Sequence, residues 1–101
     1  MSSIMDVLKS TGLPCAYSHF KTKQEPPFLV YLQSGQEQFS ADDTRHWYRN
    51  TYQVEYYFKT KSTAAEAAIE EALLEAGFRF TMSEDIYLDD EDVFVKYYYT
   101  N

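Results

Sequence analysis

Between Trp47 and Lys59 the chain alternates in a period of two. Tyr52, Val54, Tyr56 and Phe58 fall on one face, and Thr51, Gln53, Glu55, Tyr57 and Lys59 on the other. This predicts a strand whose first face lies in the core. A second run of β-formers, Phe28 to Gln33, and a weaker one, Cys15 to Phe20, predict two more strands. The polar stretch from Lys21 to Pro27 separates them, and its Pro26-Pro27 end cannot continue a ladder. Ser34 to Gln38 reads as a turn, and 37–45 as either a short strand or an irregular excursion with Asp42-Asp43 at its bend.

The pattern changes to three- and four-residue spacing in two places. Ile4, Val7 and Leu8 predict a short helix from Ser2 or Ser3 to Thr11, capped by Ser3 and ended by Gly12 and Pro14. Ala65, Ala68, Ile69, Ala72, Leu73 and Ala76 form the apolar stripe of a main helix over 64–76. Thr63-Ala64-Ala65-Glu66 reads as its capping box and Gly77 as its left-handed stop, with Glu66, Glu70 and Glu75 outside. Phe78, Phe80 and Met82 then alternate with Arg79 and Thr81. Residues 93–99 close the chain as a strand, which would pair with 78–82 as a hairpin around the acidic segment 84–92. The expectation is one α+β domain over 1–101, an antiparallel sheet with the main helix packed on it, in the order α-β-β-(β)-β-α-β-β.

Charge sharpens this picture. The 101 residues carry 9 Lys+Arg against 16 Asp+Glu, a net −7. Residues 1–61 stand at +1, whereas residues 62–101 hold Arg79 and Lys96 against ten acids, or −8. Such a segment repels polyphosphate, so specific nucleic-acid binding is not expected. The aromatics and 45% apolar content argue for a folded chain despite the charge. No apolar run approaches the roughly 20 residues that span a bilayer, so no membrane partner is expected. A single cysteine, Cys15, permits no intrachain disulfide and fits a reducing compartment.

Candidate chemistry is sparse. Cys15 and His19 share a strand face, but four residues at about 3.3 Å rise separate their backbones by roughly 13 Å, too far for a nucleophile–base pair. The acidic run from Glu84 to Asp92 lacks the glycine and ligand spacing of a calcium loop and reads as a solvated hairpin tip or an electrostatic docking surface. Adjacent acids such as Asp42-Asp43 point apart on an extended chain, and His46 has no companion at metal-ligand spacing. Neither an enzyme nor a cofactor or metal is expected. The real excess is in tyrosine. Ten tyrosines cannot all enter so small a core, and Tyr17, Tyr31, Tyr57 and Tyr98 fall opposite the most apolar strand faces. Amphipathic tyrosines there suit either a wet sheet face or a protein interface. With Asp89, Asp90, Glu91 and Asp92 they form the candidate interaction surface.

The runs Pro26-Pro27-Phe28-Leu29-Val30-Tyr31, Ala41-Asp42, Tyr52-Gln53-Val54-Glu55-Tyr56-Tyr57 and Glu66-Ala67-Ala68-Ile69-Glu70-Glu71-Ala72-Leu73, with the late Tyr/Phe-rich strand, resemble small tail-terminator or tail-completion proteins of long-tailed phages and Gram-positive prophages. The resemblance spans most of 14–99 and carries no catalytic signature. It implies a non-enzymatic virion subunit forming a ring, commonly a hexamer, that caps the tail tube and joins it to the head. Its partners would be further copies of itself, the tail tube and head-completion proteins, first in the host cytoplasm and then in the virion tail. The alternative from another class is a small acidic inhibitor that mimics DNA and binds a basic enzyme, carried by the same −8 segment.

Overall fold

The computed structural model describes residues 3–40 and 46–100. Its elements are α1 (Ile4–Lys9), β1 (Cys15–Tyr17), β2 (Phe28–Ser40), β3 (His46–Phe58), α2 (Thr63–Glu75), β4 (Phe80–Met82), β5 (Ile86–Leu88) and β6 (Val93–Thr100). The strands form one sheet in the order β1-β2-β3-β6-β4, with β5 also on β6. This is the α+β class that the periodicities predict, with differences in pairing and extent.

The sheet is mixed rather than purely antiparallel. β1 runs parallel to β2, Cys15 opposite Leu29 and Tyr17 opposite Tyr31, because the Lys21–Pro27 excursion returns the chain in its original direction. β1 also stops three residues short of the expected Phe20. Ser18 adopts φ +67° while its N–H donates to the Tyr31 carbonyl, so the strand ends there and His19 lies outside it. Ser34 to Gln38 is not a turn. β2 absorbs the irregularity as a register shift between Gln33 and Gly35 and continues to Ser40. The Asp42-Asp43 bend lies outside the described residues. The segment 84–92 is likewise not one loop: β5 pairs with β6, leaving only Asp89–Asp92 as the tip.

Both helices cover one face of the sheet. α1 begins where the Ser3 side chain accepts the Asp6 N–H, and it buries Ile4, Val7 and Leu8. α2 is capped by Ser62, one residue before the expected Thr63, with Ser62 Oγ accepting the Ala65 N–H at 3.1 Å. Its end is a Schellman arrangement: Gly77 at φ +89° lets its own N–H reach the Leu74 carbonyl and the Phe78 N–H reach that of Leu73. Ile69 and Leu73 are fully buried against Leu29, Val54, Tyr56, Phe58 and Tyr98. Ala65 and Ala72 are packed alongside, their small side chains keeping the helix close to the sheet. Ala76, expected in the stripe, is exposed.

Glu66 does not stay outside as its place in the acidic half suggests. It is buried, with Oε1 accepting from Lys96 Nζ at 2.8 Å, while Lys61 Nζ lies 2.8 Å from Oε2. Lys96 alternates onto the helix-covered face of β6, where its charge needs a carboxylate partner, and the first turn of α2 supplies it. Burial pushes the Glu66 carboxyl upward, but the two ammonium groups outweigh it and hold it below the ordinary carboxylate range. Lys61 also bonds Asp85 at 2.9 Å, tying the start of α2 to the β4–β5 connection.

Two measurements test this packing. Leu73→Ala should lower unfolding stability by about 2–5 kcal/mol through loss of buried methylenes and the cavity left behind, while exposed Leu74→Ala should change urea unfolding little. Because the folded Glu66 carboxyl titrates below its unfolded value, the stability it contributes is present above the unfolded pKa, about 4.3. It is lost as pH falls through the lowered folded value. Glu66→Gln should therefore cost on the order of 3 kcal/mol at pH 7 by leaving Lys96 unpaired. The gap to wild type should narrow in acid, followed by denaturant unfolding across pH.

Candidate interaction surface

The residues singled out from the sequence do not form one surface. Tyr98 is fully buried beneath α2, its hydroxyl donating to Glu70 Oε2 at 3.0 Å, because position 98 pairs with Val54 on the core-facing side. Burial first, and then the bond to Glu70, push its pKa far upward. Tyr31 shares that helix-covered face, half-buried, with Tyr52 edge-on at 6.2 Å. Tyr17 is 53% exposed and meets Tyr31 edge-on at 5.2 Å on the β1 side. Tyr57 alone of the four lies on the opposite face of the sheet. Counting alternation within each run could not decide this. The face of a strand is set by its register with neighbours, and a one-residue shift inverts it.

The acidic candidates stand apart. Asp89, Asp90, Glu91 and Asp92 form an exposed turn, with Asp92 at φ +54° and the Glu91 and Asp92 N–H groups both donating to the Leu88 carbonyl. Tyr87 Oη donates to Asp92 Oδ1 at 2.6 Å, a bond that raises the tyrosine pKa. Among the described residues no three His, Cys, Asp or Glu side chains converge as a metal cluster would. Cys15 is half-buried, and burial pushes its thiol up to about 11, away from the reactive thiolate. Exposed His19 lies 3.3 Å from the neighbouring Ser18 hydroxyl. No helix among the described residues is long and apolar enough to cross a membrane.

What the strand pairing does assemble is a second sheet face, on the side away from both helices. Its rows run across three strands: Leu32, Gln53 and Tyr99; then Val30, Glu55 and Tyr97; then Phe28, Tyr57 and Val95. Glu55 sits at the centre and is only 9% exposed. One side-chain oxygen accepts from Tyr57 Oη at 2.6 Å and the other from Gln53 Nε2 at 2.9 Å. Both donors come from the same strand, two residues either side, so alternation itself builds the clamp. Among the described residues no lysine or arginine pairs with Glu55. Burial, followed by the bond to Glu55, pushes the Tyr57 pKa far upward, so its phenol stays a donor. Phe28 stacks on Tyr57 at 4.9 Å, and Tyr97 stacks on Tyr99 at 6.0 Å.

One end of this face opens into a cleft of about 530 Å³ floored by Phe28, Val30 and Tyr57. The excursion Ser18–Pro26 forms one wall and Asp90 and Glu91 the other, so Lys23, Lys59 and these acids share a rim of mixed charge. The sequence reading placed Gln53, Glu55 and Tyr57 on the polar side of their strand. It missed the clamp, although the Gln-x-Glu-x-Tyr spacing carries it.

A scan against protein-family models and a search of curated proteins both find no match for this chain.

The clamp has a measurable consequence. Tyr57→Phe keeps the ring stacked on Phe28 but removes one donor from a buried carboxyl group, at a cost of about 1–3 kcal/mol. Thermal unfolding should show a lowered midpoint, whereas Tyr17→Phe, at an exposed ring, should leave it unchanged.

Proposed function

We propose that this protein is a structural subunit of a long-tailed phage particle, a tail-terminator or tail-completion protein that forms a ring at the head–tail junction. Its activity on this reading is assembly rather than catalysis. It is made and assembled in the host cytoplasm and retained in the virion tail, in contact with copies of itself, the tail tube and head-completion proteins.

The observation that carries this reading is the arm formed by β2 and β3. The two strands pair from Phe28–Tyr57 to Ser40–His46, but β1 covers β2 only at 29–31 and β6 covers β3 only at 53–58. Among the described residues no other strand pairs with β2 or β3 beyond Gln33 and Tyr52. Seven residues of β2 at about 3.3 Å each carry it roughly 23 Å out, in a molecule measuring 52 × 26 × 24 Å. A two-stranded ribbon is marginal in water and gains stability by packing on something. A subunit built to bridge neighbours has a use for such an arm. The sequence resemblance to tail-completion proteins points the same way. The inhibitor reading draws less support, since Glu66 and Glu70 are engaged by Lys61, Lys96 and Tyr98 within the fold and are not presented to a partner in the manner of phosphates.

Removal of the gene from a phage that encodes it should yield abnormal or unjoined tails by electron microscopy, restored by supplying the protein in trans. Normal-length, DNA-filled particles made without it would defeat the reading.

A further inference from the structure

Three aromatic side chains meet in the cleft at the end of the helix-free face. Phe28 stacks on Tyr57 with ring centroids 4.9 Å apart, and Phe20, carried in by the excursion after β1, stands edge-on to Phe28 at 5.3 Å and 83°. Two rings in edge contact at nearly a right angle leave a corner with π surface on two sides. The ring faces carry the negative part of the aromatic quadrupole, so such a corner attracts a cation whose charge is spread over an organic group. All three rings are half-buried, held in place by the fold yet still within reach of a ligand.

Carboxylates surround the corner. Asp90 and Glu91 stand exposed on one wall and Glu25 on the other. Beneath the floor lies Glu55, opposite Val30 in the ladder and 9% exposed, its two oxygens accepting from Gln53 and Tyr57. The Tyr57 hydroxyl therefore joins a ring of the corner to a buried acid. Its titration registers the surroundings: burial first, then the bond to Glu55 and that residue's charge, and after them Tyr97 and Glu91, push the phenol upward. Lys23 and Lys59 also line the cleft, both exposed at its rim. Among the described residues neither enters an ion pair with Glu25, Asp90 or Glu91, so the acids of the walls are not already neutralised within the chain.

We propose that this cleft binds a small organic ammonium ion with an aromatic or aliphatic body, its cation in the Phe20–Phe28 corner towards Asp90 and Glu91 and its body on Phe28, Val30 and Tyr57. The volume of about 530 Å³ lies within the roughly 300–1,000 Å³ of small-molecule sites. A bare metal ion fits poorly, since the corner offers rings in place of oxygen ligands and no three acids, histidines or cysteines converge among the described residues. Binding here is independent of the tail role: either can fail while the other stands.

The test uses three probes that share one aromatic body and differ in the charge at its end: phenethylammonium, phenethyl alcohol and hydrocinnamate. Each is titrated into the full chain at neutral pH and low salt, with binding followed by amide chemical shifts in NMR. Phenethylammonium should shift the amides of Phe20, Phe28, Tyr57 and Glu91 and bind at least about threefold more tightly than the alcohol, within the range of a single cation–π contact. Hydrocinnamate should bind more weakly than either. Replacing both wall acids, Asp90→Asn with Glu91→Gln, should weaken the cation by about two- to fivefold, as for an exposed charge pair, and leave the alcohol unchanged. Asp89→Asn, on the same turn but outside the lining, should leave all three probes unchanged.

Phe20→Leu keeps an apolar side chain but removes the π surface, and it should cost the cation more than the alcohol. Phe28→Leu serves as a second version should circular dichroism show the first to be unfolded. Equal binding of alcohol and cation would leave an apolar groove without charge selectivity and overturn the inference. Tighter binding of hydrocinnamate would do the same by giving the site to Lys23 and Lys59. So would shifts confined to residues outside the cleft, no binding of phenethylammonium up to its solubility limit, or a cation affinity untouched by loss of both wall acids.

Discussion

The structure depends on one long antiparallel ladder. β2 and β3 pair from Phe28–Tyr57 to Ser40–His46, and every other element takes its position from the half nearest their outer ends. β1 adds to Leu29–Tyr31 on one side and β6 to Gln53–Phe58 on the other, while β4 and β5 share the far edge of β6. Because side chains alternate along a strand, this register fixes two faces at once. Leu29, Val54, Tyr56 and Tyr98 go beneath the helices. Val30, Glu55, Tyr57 and Tyr97 go to the opposite side. The same ladder, continued without flanking strands, is the arm.

The helix-covered face is held by ordinary apolar burial with one ionic exception. Ile69 and Leu73 fill the space over the sheet, and the alanines of α2 let the helix approach. Lys96 falls among these residues because its position in β6 alternates inward, and a buried ammonium is tolerated only with a carboxylate to hand. Glu66, one turn into α2, meets that need and fixes where the helix lies along the strand. Lys61 extends the contact to Asp85, so helix, sheet and the β4–β5 connection share one network.

The other face follows different physics. Among the described residues no helix covers it, and its central carboxyl group accepts from Gln53 and Tyr57. Its tyrosines are amphipathic enough to tolerate water on one side while offering large rigid surfaces to a partner.

The local elements were legible in the sequence because their signals are local. The periodicity of Ile4, Val7 and Leu8, the alternation from Tyr52 to Phe58, and Gly77 as a left-handed stop act within a few residues, and each appears where it was expected. Pairing is not local. That β1 runs parallel to β2, that Ser34–Gln38 continues a strand and that β5 divides the acidic segment depend on partners distant in the chain, whose hydrogen bonds override turn propensity. The candidate surface suffered most from this. Tyr98 was assigned outward and Glu66 outward, yet both lie inside, since the sequence sets the spacing of side chains while register and an inward-facing Lys96 decide which of them meets water. The sequence therefore determined the elements, the charge asymmetry and the surplus of tyrosine. Only the tertiary structure decided which face those tyrosines occupy and that Glu55 stands at the centre of the helix-free one.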